Sequence, residues 1–141
     1  PVREIEIMSG EKHLGTLLSA LSPEMMDGEF VFCSFENSEY GDHSCLDPIA
    51  AIKEFEGLTL VISKAIADEH GVAYESVLKG ITLNVHSSLD AVGLTATFAS
   101  RLAEYGISAN VIAGFFHDHV FVQTEVAEKA MTALRELSSS Q

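Results

Sequence analysis

Three groups of residues in this chain have the types and spacing to do chemistry, and each points to a different kind. His117-Asp118-His119 sets two imidazoles two positions apart. On a strand they would share one face and could hold zinc or nickel with a third ligand. The triplet falls between two apolar runs, however, where Asp is an ordinary turn residue, so a turn is expected and no metal is assigned. Cys45 with His43, and Ser87 with His86, pair a nucleophile with a base by type. Neither pair sits in a G-x-S-x-G elbow, and the chain has no Gly-rich phosphate loop. No catalytic residue, no enzymatic activity and no cofactor are therefore expected. The third group is the loop Ser87-Ser88-Leu89-Asp90-Ala91-Val92-Gly93, followed by Leu94. Backbone amides of Val92-Gly93-Leu94 at a helix start, with the helix dipole behind them, suit a carboxylate. Gly93 permits close approach, and Asp90 could accept an ammonium group. The same residues also serve plainer ends, Asp90 as an N-cap and Gly93 as a packing glycine.

The elements that must position this loop are legible from periodicity. Ile81, Leu83 and Val85 alternate with Thr82, Asn84 and His86, which predicts a strand with one buried face. Leu94, Phe98, Leu102 and Tyr105 form one helical stripe that Gly106 ends. Ile107 to Phe116 and Val120 to Gln123 predict two paired strands. Thr124 opens a last helix, in which Val126, Ala130, Met131, Leu134 and Leu137 align, and Ser138 to Gln141 should fray. This order is most of a split β-α-β unit.

The first half reads less regularly. Glu4 to Met8 predicts a short strand, and Leu14, Leu17, Leu18 and Leu21 a helix that Pro23 closes. Glu29 to Phe35 is a buried strand, and residues 36–48 form a long polar loop. Ile49 to Phe55 and Leu58 to Ser63 make a hairpin about Glu56-Gly57. Ser63 caps a helix over residues 64–70 that Gly71 stops. Ala73 to Lys79 is either a strand or a connector. The expected division is residues 1–76 and 77–141. The second unit then holds three strands of its own and needs a fourth, for which Glu4 to Met8 is the candidate.

Composition excludes several classes. Eight Lys and Arg against 21 Asp and Glu give a net charge of −13, which repels phosphate backbones and anionic membranes alike. Neither nucleic acid nor membrane is expected as a partner. Nothing approaches the roughly 18 apolar residues of a membrane span, and the start reads as no signal peptide. With 47% hydrophobic residues there is material for a packed core. Two cysteines, Cys33 and Cys45, have no framework spacing, so a reduced, cytoplasmic protein is expected.

The run Ile81 to Leu94, followed by Gly106-Ile107-Ser108-Ala109-Asn110-Val111-Ile112-Ala113-Gly114 and Phe115 to Val122, resembles an ACT domain. Glu56-Gly57-Leu58-Thr59-Leu60-Val61-Ile62 in the first half extends the likeness to the tandem-ACT bacterial proteins related to the C-terminal regulatory domains of aspartate kinases. The resemblance implies an α+β protein of two ferredoxin-like (βαββαβ) units with antiparallel sheets and helices on one face. It implies a regulatory module that binds an amino acid or similar small molecule and forms a homodimer or larger homo-oligomer. Carried over, the ligand-facing positions are Ser88, Leu89, Asp90, Ala91, Val92, Gly93 and Leu94, with Asn110, Val111 and Ile112. A structural or adaptor module that pairs with an enzyme or transporter without a ligand is the alternative.

Overall fold

The computed structural model describes residues 13–84 and 92–139. The strand expected over Glu4 to Met8, and the loop residues Ser88 to Ala91, lie outside that range. In chain order the elements are α1 (Leu14–Ala20), β1 (Pro23–Met25), β2 (Phe30–Phe35), β3 (Ala50–Glu54), β4 (Gly57–Ser63), α2 (Lys64–His70), β5 (Leu78–Leu83), α3 (Leu94–Glu104), β6 (Asn110–Ala113), β7 (Asp118–Gln123) and α4 (Ala127–Ser139). Short 3-10 turns lie at Ser44–Leu46 and Thr124–Val126. The protein is α+β, and every strand pairing resolved by register is antiparallel. By compactness the chain divides into residues 27–79 and a discontinuous unit of 1–26 with 80–141.

In the unit 27–79, β4 pairs with β3 on one side and β2 on the other, and Leu78 at the start of β5 stands opposite Phe30. The hairpin between β3 and β4 turns at Phe55-Glu56, and Gly57 begins the return strand at φ +155°. A Cβ there would stand 2.7 Å from the Phe35 carbonyl oxygen, so only glycine fits the close approach. Strand alternation sends Val31, Cys33, Leu58, Leu60 and Ile62 to one face, where Ala67 of α2 and Leu46 join them. Ser63 caps α2 as expected, its Oγ accepting from the Ile66 N–H at 3.1 Å. Gly71 ends α2 in the left-handed conformation at φ 65°.

In the other unit the strands neighbour one another in the order β1, β5, β7, β6. Ile81 and Leu83 of β5 and Val120 and Val122 of β7 pack against α1, α3 and α4 through Leu17, Leu18, Phe98, Leu102, Ala130 and Leu134. The stripe Leu94, Phe98, Leu102 is buried along α3 as its spacing requires. Two local expectations are corrected. The strand expected over Ile107 to Phe116 is only four residues, Asn110–Ala113. Ser138 and Ser139 continue α4 instead of fraying, and the Ser138 hydroxyl donates to the Ser19 carbonyl at 3.3 Å.

Among the described residues a fourth strand comes from β1, with Pro23, Glu24 and Met25 opposite Leu83, Thr82 and Ile81. Proline tolerates this position because it opens the strand, where no ladder donor is needed. The Asn84 side-chain amide fastens the pair by donating to Glu24 at 2.6 Å. Pro23 thus both follows a helix and starts a strand.

Candidate functional site

The helix α3 starts at Gly93, not at Asp90. Gly93 is its N-cap at φ 93°, in the left-handed region, and supplies no side-chain cap. Its carbonyl accepts the Thr97 N–H at 2.9 Å and the Thr97 hydroxyl at 2.7 Å. Among the described residues no side chain caps this end, which leaves first-turn N–H groups open to other acceptors. With the dipole, these make the start of α3 attractive to an anion. Gly93 is required twice over: the positive φ costs any other residue, and a Cβ would press the Leu14 side chain at 3.3 Å.

The neighbours of Gly93 divide sharply. Val92 is 86% exposed while Leu94 is 3% exposed and packed in the core. Leu94 therefore contributes a backbone N–H, and its side chain is committed to the fold. A shallow groove of about 540 Å³ runs from Gly93 along α3, lined by Ala96, Thr97, Ser100, Arg101, Glu104 and Leu137. Arg101 is half-buried there, its Nε 3.3 Å from Glu104. Thr97, Ser100 and Arg101 were not singled out from sequence. The signal was present in their spacing from Gly93, four, seven and eight positions on, which is one face of a helix.

Asn110, Val111 and Ile112 lie on β6, opposite Phe121, Val120 and His119 of β7. None of the three lines the Gly93 groove. The Asn110 side-chain N–H donates to the Phe121 carbonyl at 3.0 Å, leaving Oδ1 as its acceptor. Ser88, Leu89, Asp90 and Ala91 lie outside the described residues.

The histidine triplet is split between turn and strand: His117 closes the turn and Asp118 and His119 open β7. The His117 carbonyl accepts the Gly114 N–H at 2.9 Å, closing the hairpin. His119 Nδ1 lies 3.1 Å from the Thr82 hydroxyl, and Nδ1 of His117 is buried without a hydrogen-bond partner among the described residues. Burial, helped by nearby His117, pushes the His119 imidazole below its ordinary value, and burial pushes the Asp118 carboxyl up. Among the described residues no three His, Cys, Asp or Glu side chains converge to hold a metal ion.

Models of the ACT domain match residues 9–79 and 75–136, so the chain belongs to the ACT-domain family and carries two such domains in tandem. Among solved structures, a Vibrio cholerae protein of unknown function, described as a possible transport protein, is 50% identical. It covers 89% of this chain and 95% of its own at a TM-score of 0.81. An Agrobacterium tumefaciens protein at 17% identity has a TM-score of 0.70 over 84% of this chain and 89% of its own. The ligand-free regulatory subunit of Thermus thermophilus aspartate kinase, at 11% identity, has a TM-score of 0.59 over 83% and 95%. The last two share the fold. No curated protein matches the chain.

Proposed function

We propose that this protein is a regulatory ACT protein that binds a small molecule, an amino acid in the first instance, and has no catalytic activity of its own. The observation that carries the reading is the start of α3: a helix terminus at a glycine with no side-chain cap among the described residues, beside exposed Val92, in a chain of the ACT family. In this reading the amides of Val92, Gly93 and Leu94 receive the carboxylate. Asp90 and the Asn110 Oδ1 take the ammonium group, and the site extends over Ser88 to Leu94 and Asn110 to Ile112. The tandem repeat runs in chain order, 1–76 and 77–141, in keeping with the spans of the two family matches. The molecule works as a cytoplasmic homodimer or larger homo-oligomer. No helix among the described residues is long and apolar enough to cross a membrane, and the net charge of −13 disfavours nucleic acid.

The test is a thermal-shift screen of the full chain against the twenty amino acids. A ligand at a hundred times its Kd stabilises the native state by about 2.7 kcal/mol. The reading expects a rise with one or a few amino acids that Asp90→Asn and Asn110→Ala diminish. No rise with any of them would discard it. An adaptor role would then lead, favoured by the exposed edge-to-face pair Phe115 and Phe116, ring centroids 5.0 Å apart, at the β6–β7 turn.

A further inference from the structure

In the unit 80–141 the helix α3 follows β5 and covers the sheet with Leu94, Phe98 and Leu102. In the unit 27–79 the segment after β2 holds only the 3-10 turn Ser44–Leu46 before β3. Of that turn, Leu46 alone reaches the core. One short turn fills less space than a three-turn helix, and a cavity of about 390 Å³ opens beside it. Its floor is Leu58 and Leu60, both nearly inaccessible, with Ala51 at the edge. Its wall is Tyr40, Gly41, His43, Ser44, Asp47 and Pro48.

The wall is held in shape. The His43 ring stacks on Phe35 with centroids 3.9 Å apart, and its Nε2 lies 2.9 Å from the Ser38 hydroxyl. The Glu39 N–H donates to the Asp42 carboxylate at 2.7 Å. The N–H groups of Leu46 and Asp47 donate to the His43 and Ser44 carbonyls, each at 3.0 Å. The volume lies within the range of small-molecule sites, roughly 300–1,000 Å³. The lining sets the chemistry. Aliphatic side chains form the floor, Asp47 supplies a carboxylate, and Tyr40, 77% exposed, offers a ring face. Among the described residues no lysine or arginine lines the cavity.

We propose that this cavity binds a small amphipathic amine. Its apolar body lies against Pro48 and Ala51, above the nearly inaccessible Leu58 and Leu60, its ammonium group pairs with Asp47, and the Tyr40 ring adds a cation–π contact. The net charge of −13 raises the local concentration of any cation. The site shares no residue with Ser88 to Leu94 or Asn110 to Ile112 and stands whether or not an amino acid binds there.

The test is a titration of the isotope-labelled full chain, followed by amide NMR, with phenethylamine and separately with phenylacetate, which has a similar body and the opposite charge. Phenethylamine should give saturable shifts at Gly41, Ser44, Asp47, Ala51 and Leu60, and phenylacetate none there. Asp47 sits at φ 49°, a conformation that Asn also tolerates, so Asp47→Asn removes the charge and keeps the turn. It should weaken phenethylamine about fivefold or more. Ala51→Trp, at an exposed position of β3, should fill the cavity and abolish the shifts. Saturable shifts confined to Val92–Ala96 would overturn the proposal, as would no saturable shift, equal shifts with phenylacetate, or unchanged affinity in folded Asp47→Asn.

Discussion

The two compact units answer the same structural requirement differently. Each must cover one apolar face of an antiparallel sheet. The unit built on residues 80–141 does it with α1, α3 and α4, and its buried cluster numbers 17 of the described residues. The unit 27–79 does it with α2, Leu46 and half-buried loop residues, and its cluster numbers seven. Where the first places α3, the second places a loop that keeps its own hydrogen bonds and leaves a cavity. A helix satisfies its backbone internally and buries a continuous stripe. A loop must instead satisfy its polar groups by local turns, which fixes its outer surface and limits how far it can fill the space beneath. The helical solution yields the larger core, and the loop solution yields the concavity.

This contrast breaks most decisively through the cores. Phe98→Ala removes the largest fully buried side chain of α3 and should cost about 3–5 kcal/mol. Leu60→Ala in the smaller cluster should cost about 2–4 kcal/mol. Urea unfolding of the two variants, with amide exchange read separately over 27–79 and 92–139, decides the matter. If Leu60→Ala proves the costlier, the ranking of the two cores is wrong.

Glycines sharpen the comparison at a smaller scale. Gly57→Ala forces a Cβ to within 2.7 Å of the Phe35 carbonyl oxygen and should cost about 1–3 kcal/mol by overpacking. Gly71→Ala keeps the strain of φ 65° but meets nothing within 4 Å, so about 1 kcal/mol is expected. Thermal denaturation of both should show Gly57→Ala melting lower, and the reverse order would remove steric approach as the cause.

The next effect belongs to the β6–β7 hairpin, where Thr82 of β5 stands beside His119. The folded His119 imidazole titrates below its unfolded value of about 6.5, because burial and His117 disfavour its charge, while Asp118 pulls the other way. Its unfolded form therefore binds more protons in the window just below that value, and stability should rise with pH there. His119→Gln should flatten this part of the Tm-against-pH curve. Asp118, raised by burial, acts lower: its contribution is present at acid pH and is lost as pH rises through its folded pKa. An unchanged slope in His119→Gln would assign the dependence elsewhere.

The smallest effect is chemical. Cys45 is exposed, and Cys33 is buried in the small core with its thiol pushed up by burial. Iodoacetamide should label Cys45 within minutes and Cys33 only when the unit 27–79 opens. Equal labelling rates would mean that the small core opens readily.

Much of this architecture can be read directly from residue spacing. The stripe Leu94-Phe98-Leu102, the Ser63 and Gly71 limits of α2 and the hairpin between residues 49 and 63 depend on periodicities and caps a few residues long; the first two fold as read, and the hairpin forms with its turn one residue earlier, at Phe55-Glu56 and not Glu56-Gly57. The site is less legible. Gly93 stands out in sequence, but Asp90 looks an equally good cap, and only the chain path makes glycine the N-cap. Thr97 and Arg101 follow Gly93 at helical spacing, a signal that places them on one helix face, and only the packing of Leu137 beside them makes that face a groove.

By itself the sequence determined the element types, the acidic surface and the two ACT repeats, because these follow from local pattern and composition. Tertiary structure alone decided that Pro23–Met25 supplies a fourth strand, since three residues with a proline carry no strand period and gain their ladder only from Ile81–Leu83. It also decided that Val92 faces solvent while Leu94 enters the core, and that Asn110 ties itself to Phe121. The space beneath residues 36–48 is of the same kind. Each depends on which distant segment arrives alongside, and that is settled by packing across the chain.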